Sequence, residues 1–290
     1  MKLIAIIVTY LPDQKELLRN IRSCIDDVEE LIIWENTPID TINYDKKLFL
    51  KEFSGKISFS GLGMNVGIGK ALNFGAKVAI RKGFTHLLTL DQDSFFETNH
   101  LEKYKKQISE FDDHKAGIFG VNYINNNQNA WKISEKYLQK PDCITSGSIV
   151  PVKTFLSAGF FDEDLFIDGV DFDFCYKIKQ NNDLKTIICS EVIMNHQVGY
   201  LTKTKFGFST ENYSAFRTYY IVKNHLLLWK RYNRLFPASR KIHLIKNYII
   251  YRLIKIVLAE KDKKAKTFAI GRGIYDAFFR SDAAENNISI

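Results

Sequence analysis

The chain has 290 residues, enough for one large domain with an appendage, and its 46% hydrophobic and 26% charged residues are ordinary for a globular protein. Its four cysteines are far apart and form no CxxC pair, which argues against a zinc ribbon or a disulfide scaffold and indicates a reducing cytoplasm. The N-terminal apolar run is too short for a signal peptide, and no stretch approaches the ~18 apolar residues of a membrane span.

Positive charge is concentrated near the C-terminal end. The net charge is +8, but residues 201–280 alone contain 18 Lys and Arg against four acids. Such a basic region predicts an anionic partner: lipid head groups, a phosphorylated substrate or nucleic acid.

Strand and helix patterns alternate over the first 100 residues. The β-rich runs "LIAIIVTY", "VEELIIWEN", "KISFSG" and "THLLTLDQD" predict strands, and "DQKELLRNIRSCI" and "NVGIGKALNFGAKVAIRKG" predict helices. This alternation predicts an α/β, Rossmann-like fold: a mostly parallel mixed sheet flanked by helices.

The remaining elements are less regular. Residues 101–140 predict a helix followed by an irregular loop or hairpin, "CITSGSIVPVKTFLSAG" predicts a strand and a helix, and 186–200 predict a last strand and loop. From about residue 206 the pattern is helical, basic and aromatic, and Pro237 is expected to separate two helices.

Polar residues follow several of the predicted strands. Thr9, Glu35, Asn36 and the pair Asp91 and Asp93 all fall at carboxyl ends. Ligands of such sheets bind outside these ends, so the residues are expected to share one edge.

Asp91 and Asp93 in "LDQDS" are a candidate metal site. In an extended segment both side chains point to the same side, and two adjacent carboxylates stay ionised when a cation compensates them. Mg²⁺ or Mn²⁺ with phosphate oxygens fits this arrangement. The structural alternative is an acidic turn that caps the next helix.

Three further stretches have both a functional and a structural interpretation. In "NVGIGKALNFG", Gly67 and Gly69 precede a helix; they either let the backbone approach an anion or form a turn into a core helix. In "FIDGVDFDF", Asp171 is either a general base or a carboxylate favoured by the helix dipole. His196 in "MNHQVGY" is a third metal ligand, a diphosphate contact or a structural histidine.

The order of these motifs resembles a known family. A Thr-Tyr ends the first strand, an acid–Asn pair ends the second, and "N-x-G-x-G-x-A-x-N-x-G", "LDQDS", "DGVD", "H-Q-x-G" and "RTYYIVKN" follow. Together they resemble the family 2 inverting glycosyltransferases, and "LDQDS" and "RTYYIVKN" look most like the bacterial rhamnosyltransferase branch. The closing "AKTFAIGRGIYDAFFRSD" is similar to that branch as well, with Arg280-Ser281 where a glycine is usual.

The resemblance implies a GT-A fold, a nucleotide-diphosphate-sugar donor and a divalent cation, Mg²⁺ or Mn²⁺. Asp171 would be the catalytic base, with Val170 replacing the first acid of the family's Glu-Asp motif, and "WEN" stands where many relatives have a "VDN"-like acid. The cation ligands would be Asp91, Asp93 and His196. The nucleotide-sugar would contact Thr9, Glu35, Asn36, Asn65, Gly67, Asp91 and Gln92.

The same resemblance divides the chain and names its partners. Residues 1–205 would be the catalytic domain, and 206–290 a helical region on the acceptor and membrane side. The donor would be dTDP-rhamnose, with a UDP-hexose or UDP-galactofuranose as alternatives, and the acceptor a polyprenyl-diphosphate-linked saccharide. A cytoplasmic enzyme, peripheral on the inner face of the membrane, is expected; the basic helices either bind that surface or only pack on the catalytic domain.

Two other classes remain open from the residues alone. A nucleic-acid-binding protein could use the basic region, although no zinc finger, helix-turn-helix or RNA-binding signature is present and no nucleic-acid partner is expected. A nucleotidyltransferase or phosphohydrolase could use the same Asp pair.

Overall fold

The structure is a computed structural model and describes residues 1–42, 44–125, 128–196, 202–203 and 209–279. The strands are β1 (Leu3–Thr9), β2 (Glu30–Glu35), β3 (Ile57–Gly61), β4 (His86–Asp91), β5 (Ser94–Phe96), β6 (Ala116–Asn125), β7 (Gln128–Asn129), β8 (Tyr137–Lys140), β9 (Ser148–Pro151), β10 (Lys185–His196), β11 (Thr202–Lys203) and β12 (Ser209–Thr210).

The α-helices are α1 (Gln14–Arg22), α2 (Lys46–Glu52), α3 (Ile68–Arg81), α4 (His100–Glu110), α5 (Val152–Ala158), α6 (Val170–Asn182), α7 (Ala215–Arg231), α8 (Ala238–His243), α9 (Tyr251–Ala259) and α10 (Lys263–Phe279). A π-helix over Leu244–Ile250 joins α8 to α9, and short 3₁₀ turns cover Ile25–Asp27, Ile39–Thr41 and Glu163–Leu165.

Ten strands form one mixed sheet, in the order β3-β2-β1-β4-β9-β6-β10-β5, with β7 beside β6 and β8 beside β10. The pairs β1–β2, β1–β4, β2–β3 and β6–β10 are parallel. Strand β9 runs antiparallel to both of its neighbours, and so does β5 to β10. The predicted Rossmann-like sheet with helices is confirmed.

The sheet is buried on both faces, which explains the continuous apolar runs of its strands. Alternate residues of β1 enter two different cores: Leu3 and Ile7 pack in one, and Ile4 and Ile6 in the other. Both cores consist of buried aliphatic and aromatic side chains. The alternation of side chains along the strands therefore places one hydrophobic core on each face of the sheet.

Residues 101–140 differ most from their predicted pattern. The predicted helix is α4, but the segment after it contains the long strand β6, which enters the centre of the sheet between β9 and β10. The run "AGIFGVNYIN" contains two glycines and two asparagines, residues that are depleted in strands. Its partners on both sides, and not its own propensity, place it in the sheet.

The C-terminal helices pack on the rest of the molecule through α7. Helix α10 lies against it so closely that a Cβ on Gly273 would sit 3.0 Å from the Tyr219 carbonyl oxygen, and the Tyr219 hydroxyl donates to Asp276 at 2.7 Å. Pro237 precedes α8, as predicted. None of the helices in the described ranges has the length and apolar content needed to cross a bilayer.

Candidate active site

The predicted edge of the sheet is assembled by strand register. Thr9 pairs with Glu35 across β1 and β2, and Val8 pairs with Asp91 across β1 and β4. The carboxyl ends of three strands therefore meet, as expected for a parallel sheet. A cavity of about 610 Å³ is lined by His86 and Pro151, at the opposite end of these strands from Asp91 and Asp93.

Asp91, Asp93 and His196 form one cluster. One ligand atom from each lies within 4.8 Å of those of the other two, and His196 Nδ1 is 3.9 Å from Asp93 Oδ1. Strand β5 brings them together: the chain turns back after Asp93, and Ser94 pairs with His196 on β10. Two carboxylates and an imidazole are a donor set suited to a divalent cation.

A series of hydrogen bonds through Ser146 and Ser94 connects Asp91 to His196. The Asp91 backbone N–H donates to Ser146 Oγ at 3.0 Å, and the Ser146 hydroxyl donates to Ser94 Oγ at 2.7 Å. Ser94 Oγ in turn lies 2.7 Å from His196 Nδ1. A hydrogen bond at one ring nitrogen is usual for a metal-binding histidine, whose other nitrogen then faces the ion.

The electrostatics of the cluster favour a bound cation. Burial raises the pKa of both Asp91 and Asp93, and the charge of Asp91 raises the pKa of Asp93 further. The positive charges of His196 and Arg217 act in the opposite direction. Without a cation the pair would take up protons more readily than ordinary carboxyls, so a divalent ion suits this position.

Thr9 and Glu35 lie side by side at the carboxyl ends of β1 and β2. The Glu35 carboxylate accepts from the Tyr44 hydroxyl and from Lys46 Nζ, both at 2.5 Å. Thr9 is fully buried, and its hydroxyl donates to the Trp34 carbonyl oxygen at 3.1 Å. Both side chains have structural partners, and their contact with a nucleotide stays a prediction.

Asn36 and Asn65 organise the glycine-containing loop. Asn36 Oδ1 accepts from Trp34 Nε1 at 3.0 Å, while its amide donates to the Gly67 carbonyl oxygen at 3.2 Å. Asn65 Oδ1 accepts from the Gly67 N–H at 3.0 Å. Gln92, between the two aspartates, is held by the backbone of Tyr10. Its Oε1 accepts from the Tyr10 N–H at 2.7 Å, and its amide donates to the Tyr10 carbonyl oxygen at 3.2 Å.

The glycines serve a close approach between two loops of this chain. Gly67 has φ +83° and ψ 167°, and a Cβ there would lie 2.8 Å from the Phe166 carbonyl oxygen. A Cβ on Gly69 would lie 2.7 Å from the Asp162 carbonyl oxygen. Asn73 completes the contact by donating to the Phe161 carbonyl oxygen at 2.9 Å. The structure thus favours the structural interpretation of this motif. The two glycines position the segment of residues 162–173, which we call the acidic turn.

The acids of that turn differ in their partners. Asp168 forms a paired hydrogen bond with Arg217, both at 3.1 Å. Asp173 is buried and accepts from Tyr232 at 2.9 Å and from Arg231 at 3.3 Å. Asp171 accepts only the Phe172 N–H, at 2.9 Å, among the described residues.

Asp171 has the electrostatics of a general base. Burial raises its pKa to about 7, the Phe172 N–H lowers it, and the charges of Asp142, Asp168 and Asp91 raise it. A base whose pKa lies near the working pH is the most effective one. Tyr123 and Tyr248 lie within the electrostatic range of Asp171: burial first, and then nearby acids that include Asp171, raise the pKa values of both phenols.

Asn224 of α7 supports the backbone of the turn. Its amide donates to the carbonyl oxygens of Leu165, Ile167 and Asp168 at 2.7–2.8 Å. Phe166 and Asp168 have positive φ, 57° and 59°, a conformation that costs L-residues ~1–3 kcal/mol each and clusters at functional sites. The amide of Asn224 is what holds this strained turn.

Comparisons with known proteins agree with this geometry. No protein-family model matches the chain. It is 28% identical over 244 residues to the dTDP-rhamnosyl transferase RfbF of Shigella flexneri, covering 78% of this chain and 79% of the relative. The fold matches that of S. aureus TarS 1-349 in complex with UDP-GlcNAc, with a TM-score of 0.58 at 16% identity over 96% of this chain and 82% of that one.

A second solved structure, GalNAc-T7 with UDP, GalNAc and Mn²⁺, matches with a TM-score of 0.58 at 15% identity over 95% of this chain. The chain therefore has the fold of the GT-A glycosyltransferases. It spans 57% of the GalNAc-T7 chain and 44% of a longer TarS chain.

Sequence reasoning missed several residues of this candidate site. Arg217 and Asn224 lie in the quoted "RTYYIVKN", and the structure shows what that motif does: its ends hold the acidic turn. Ser94 and Ser146 had no signal beyond their neighbours in sequence, because their hydrogen bonds join segments about fifty residues apart. Part of the "H-Q-x-G" motif, residues 197–199, and the Arg280-Ser281 position lie outside the described residues.

Proposed function

We propose that this enzyme transfers L-rhamnose from dTDP-rhamnose, with inversion, onto a saccharide acceptor carried on a polyprenyl diphosphate. The printed name of the Shigella flexneri relative supports the donor. The observation that carries the proposal is local: a three-ligand cluster at the sheet edge lies close enough to Asp171 for the charge of Asp91 to contribute to its raised pKa of about 7.

Asp91, Asp93 and His196 would hold the divalent cation. When bound, the ion supplies charge neutralisation for the diphosphate of the donor. Because the cluster includes a ring nitrogen, and Mg²⁺ prefers an all-oxygen shell, the donor set favours Mn²⁺ over Mg²⁺.

Asp171 would accept the proton of the acceptor hydroxyl. The oxygen of that hydroxyl forms a bond to the anomeric carbon from the face opposite the diphosphate. The bond between the anomeric carbon and the phosphate oxygen breaks, and its electron pair leaves with the nucleoside diphosphate. Arg217 lies close enough to lower the pKa of Asp91, so its positive charge would also favour the leaving group.

The donor is tested by thermal unfolding with dTDP-rhamnose, UDP-glucose and UDP-galactofuranose, each with Mn²⁺ or Mg²⁺. A ligand that binds the native state raises the Tm, and we expect the largest rise with dTDP-rhamnose and Mn²⁺. A larger rise with a UDP-sugar would replace the donor, and no rise with any nucleotide-sugar would contradict the proposal.

The reaction is tested with Asp171→Asn. We expect this variant to keep the donor-dependent rise in Tm and to lose sugar transfer, because only the proton acceptor is removed. Sugar transfer at the wild-type rate would refute the assignment. Release of sugar phosphate without transfer, by the wild-type protein, would indicate a phosphohydrolase.

A membrane surface is the proposed site of action. The C-terminal helices expose apolar side chains on their outer side, which we call the outer apolar face: Ile250, Ile254, Val257, Phe268, Tyr275 and Phe279, from 46% to 74% exposed. They recur at helical spacing within a strongly basic region. Apolar faces flanked by Lys and Arg are typical of helices that lie on anionic lipid.

Vesicle binding tests this surface. We expect co-sedimentation with phosphatidylglycerol vesicles, weak binding to phosphatidylcholine, and a loss of binding in Phe268→Glu. Leu156→Glu is the matched control, since Leu156 is 69% exposed on α5, outside the basic region, and Phe268 is 71% exposed. Steeply salt-dependent DNA binding without vesicle binding would instead favour a nucleic-acid partner.

A further inference from the structure

A buried ion pair lies against α6, and neither of its members is among the residues assigned to the reaction. Arg240 Nη2 on α8 donates to Asp142 Oδ1 at 3.0 Å, and Arg240 Nη1 lies 2.6 Å from Asp142 Oδ2. The Tyr176 hydroxyl donates to Asp142 Oδ2 at 2.9 Å and accepts from Arg240 Nη1 at 3.0 Å. Asp142 is only 4% exposed, so the stability of its charge depends on these partners.

This pair packs on the turn of α6 that carries Asp171. Phe172 and Tyr176 lie one turn apart on the helix, so their side chains share one face of it. The guanidinium carbon of Arg240 is 4.9 Å from the centre of the Phe172 ring. The Phe172 N–H in turn donates to the Asp171 carboxylate at 2.9 Å. The ion pair and the proposed base are therefore neighbours on the same part of α6.

Titratable side chains from several elements surround Asp171. They are Asp168 of the acidic turn, Asp91 of β4, Asp142 before β9, Tyr123 of β6 and Tyr248 of the π-helix, with His225 of α7 packed on the adjacent Phe172. Burial and then nearby acids raise the pKa values of both phenols, and burial lowers the pKa of the imidazole to about 3, so all three rings are neutral near pH 7. After burial, which is the largest cause, Asp142 raises the pKa of Asp171 more than the other two acids do.

Arg240 opposes the influence of Asp142, because its guanidinium touches that carboxylate. A compensated carboxylate acts on a neighbouring charge less than a bare one does, since the fields of the two partners partly cancel. The two halves of the pair therefore act on Asp171 in opposite directions. The carboxylate favours the protonated form of Asp171, and the guanidinium favours its ionised form.

We propose that the Asp142–Arg240 pair sets how readily Asp171 accepts the proton of the acceptor hydroxyl. Arg240 is thus a positioning residue that α8 contributes to the reaction through Asp142. This inference rests on the proposed role of Asp171 as the base. When Arg240 is removed, an uncompensated buried carboxylate lies beside the base, and Asp171 retains its proton to higher pH.

Carboxyl NMR measures this effect directly. The protein is labelled with ¹³C at its aspartate carboxyls and titrated in EDTA, and the Asp171 signal is identified by its loss in Asp171→Asn. Asp142→Asn leaves the guanidinium unpaired and should lower the pKa of Asp171 by about one pH unit. Arg240→Met leaves the carboxylate unpaired and should raise it by about as much, the lower end of what a neighbouring charge produces. Arg240→Lys keeps the charge and should titrate close to the wild type.

The rate of sugar transfer gives a second measurement. With Mn²⁺ present, the pH of half-maximal transfer should shift downward in Asp142→Asn and upward in Arg240→Met. A pair that only held the helices together would lower the Tm of both variants, and it would not shift the two profiles in opposite directions.

The control is Arg252→Met, which removes a buried arginine of α9 that pairs with Glu260 at 2.6 Å. It should lower the Tm and leave the titration of Asp171 as in the wild type. The inference is overturned if Asp142→Asn fails to lower the pKa of Asp171, if Arg240→Met lowers it, or if Arg252→Met shifts it as much. If Arg240→Met does not fold, Asp142→Asn and Arg240→Lys decide the question. Failure of the proposed function would differ: the carboxyl shifts would be observed, but the wild type would transfer no sugar at any pH.

Discussion

Asp171→Asn is expected to stabilise the protein while it removes activity. The wild-type carboxyl has a pKa of about 7 in the fold, against an ordinary value of 3.8, because burial and three neighbouring acids disfavour its charge. That difference corresponds to about 4 kcal/mol at ~1.4 kcal/mol per pKa unit, an upper limit because any relaxation of the fold around the charge reduces it. Asparagine has the same shape, can still accept the Phe172 N–H and carries no charge.

The effect has a definite dependence on pH. A carboxyl whose pKa is raised in the fold contributes stability that is complete below its unfolded value, near 4, and is lost as the pH rises to about 7. The asparagine variant loses nothing over this range. The advantage of the variant should therefore be small at pH 4, grow between pH 4 and 7, and stay constant above pH 7.

Thermal unfolding of the wild type and Asp171→Asn in EDTA, from pH 5 to 9, measures the difference. A gain of several degrees is expected at pH 8, up to roughly 8 °C at ~2 °C per kcal/mol for a chain of this size. Asp168→Asn is the control, since it removes an acid that is paired with Arg217 and should lower the Tm instead. Equal Tm values at pH 8, or an advantage that shrinks as the pH rises, would refute the reasoning.

Three further predictions follow from the same contacts. The rate of transfer should rise with pH and level off above about 7, as Asp171 ionises, and a bound cation should move this limb to lower pH; a flat profile from pH 5 to 8 would contradict the base assignment. Gly67→Ala should lower the free energy of unfolding by at least ~2 kcal/mol, because its backbone conformation is almost restricted to glycine and the Cβ would meet Phe166; denaturant titration measures the loss. Arg217→Lys keeps the charge but loses the paired hydrogen bonds to Asp168, so Tm should fall while the donor KM changes less than in Arg217→Met.

Sequence patterns predicted a strand correctly where the residues of that strand alone show the expected hydrophobic pattern. The first four predicted strands were correct. Three of them, β1, β2 and β4, have continuous apolar runs because they are buried on both faces. Strand β6 was missed because its place depends on neighbours that are distant in the chain. Strand β5 has only three residues, too few for any periodicity.

In the candidate site too, local motifs could be predicted, but contacts between distant segments could not. Asp91 and Asp93 were predicted as a pair in an extended segment, but β4 ends at Asp91 and Asp93 lies in the turn before β5, so this turn and not strand alternation brings the two carboxylates together. Their proximity to His196 could only be guessed, because it requires the return of β5 onto β10. The glycine motif had two interpretations, an anion contact or a turn into a core helix, and the close contact of Gly67 and Gly69 with residues 162–166 could not be predicted because it joins segments that are distant in the chain.

The acids of the site fall into two groups according to their partners. Asp142, Asp168 and Asp173 each form an ion pair with an arginine of the C-terminal helices, Arg240, Arg217 and Arg231 respectively. Asp91, Asp93 and Asp171 have no Lys or Arg ion pair among the described residues, and burial raises the pKa of all three. These three carboxylates are partly exposed, Asp93 by 41%, so a ligand can reach them. The compensated acids hold the turn and the helices in place, and the uncompensated ones are those available to a cation and to a substrate proton.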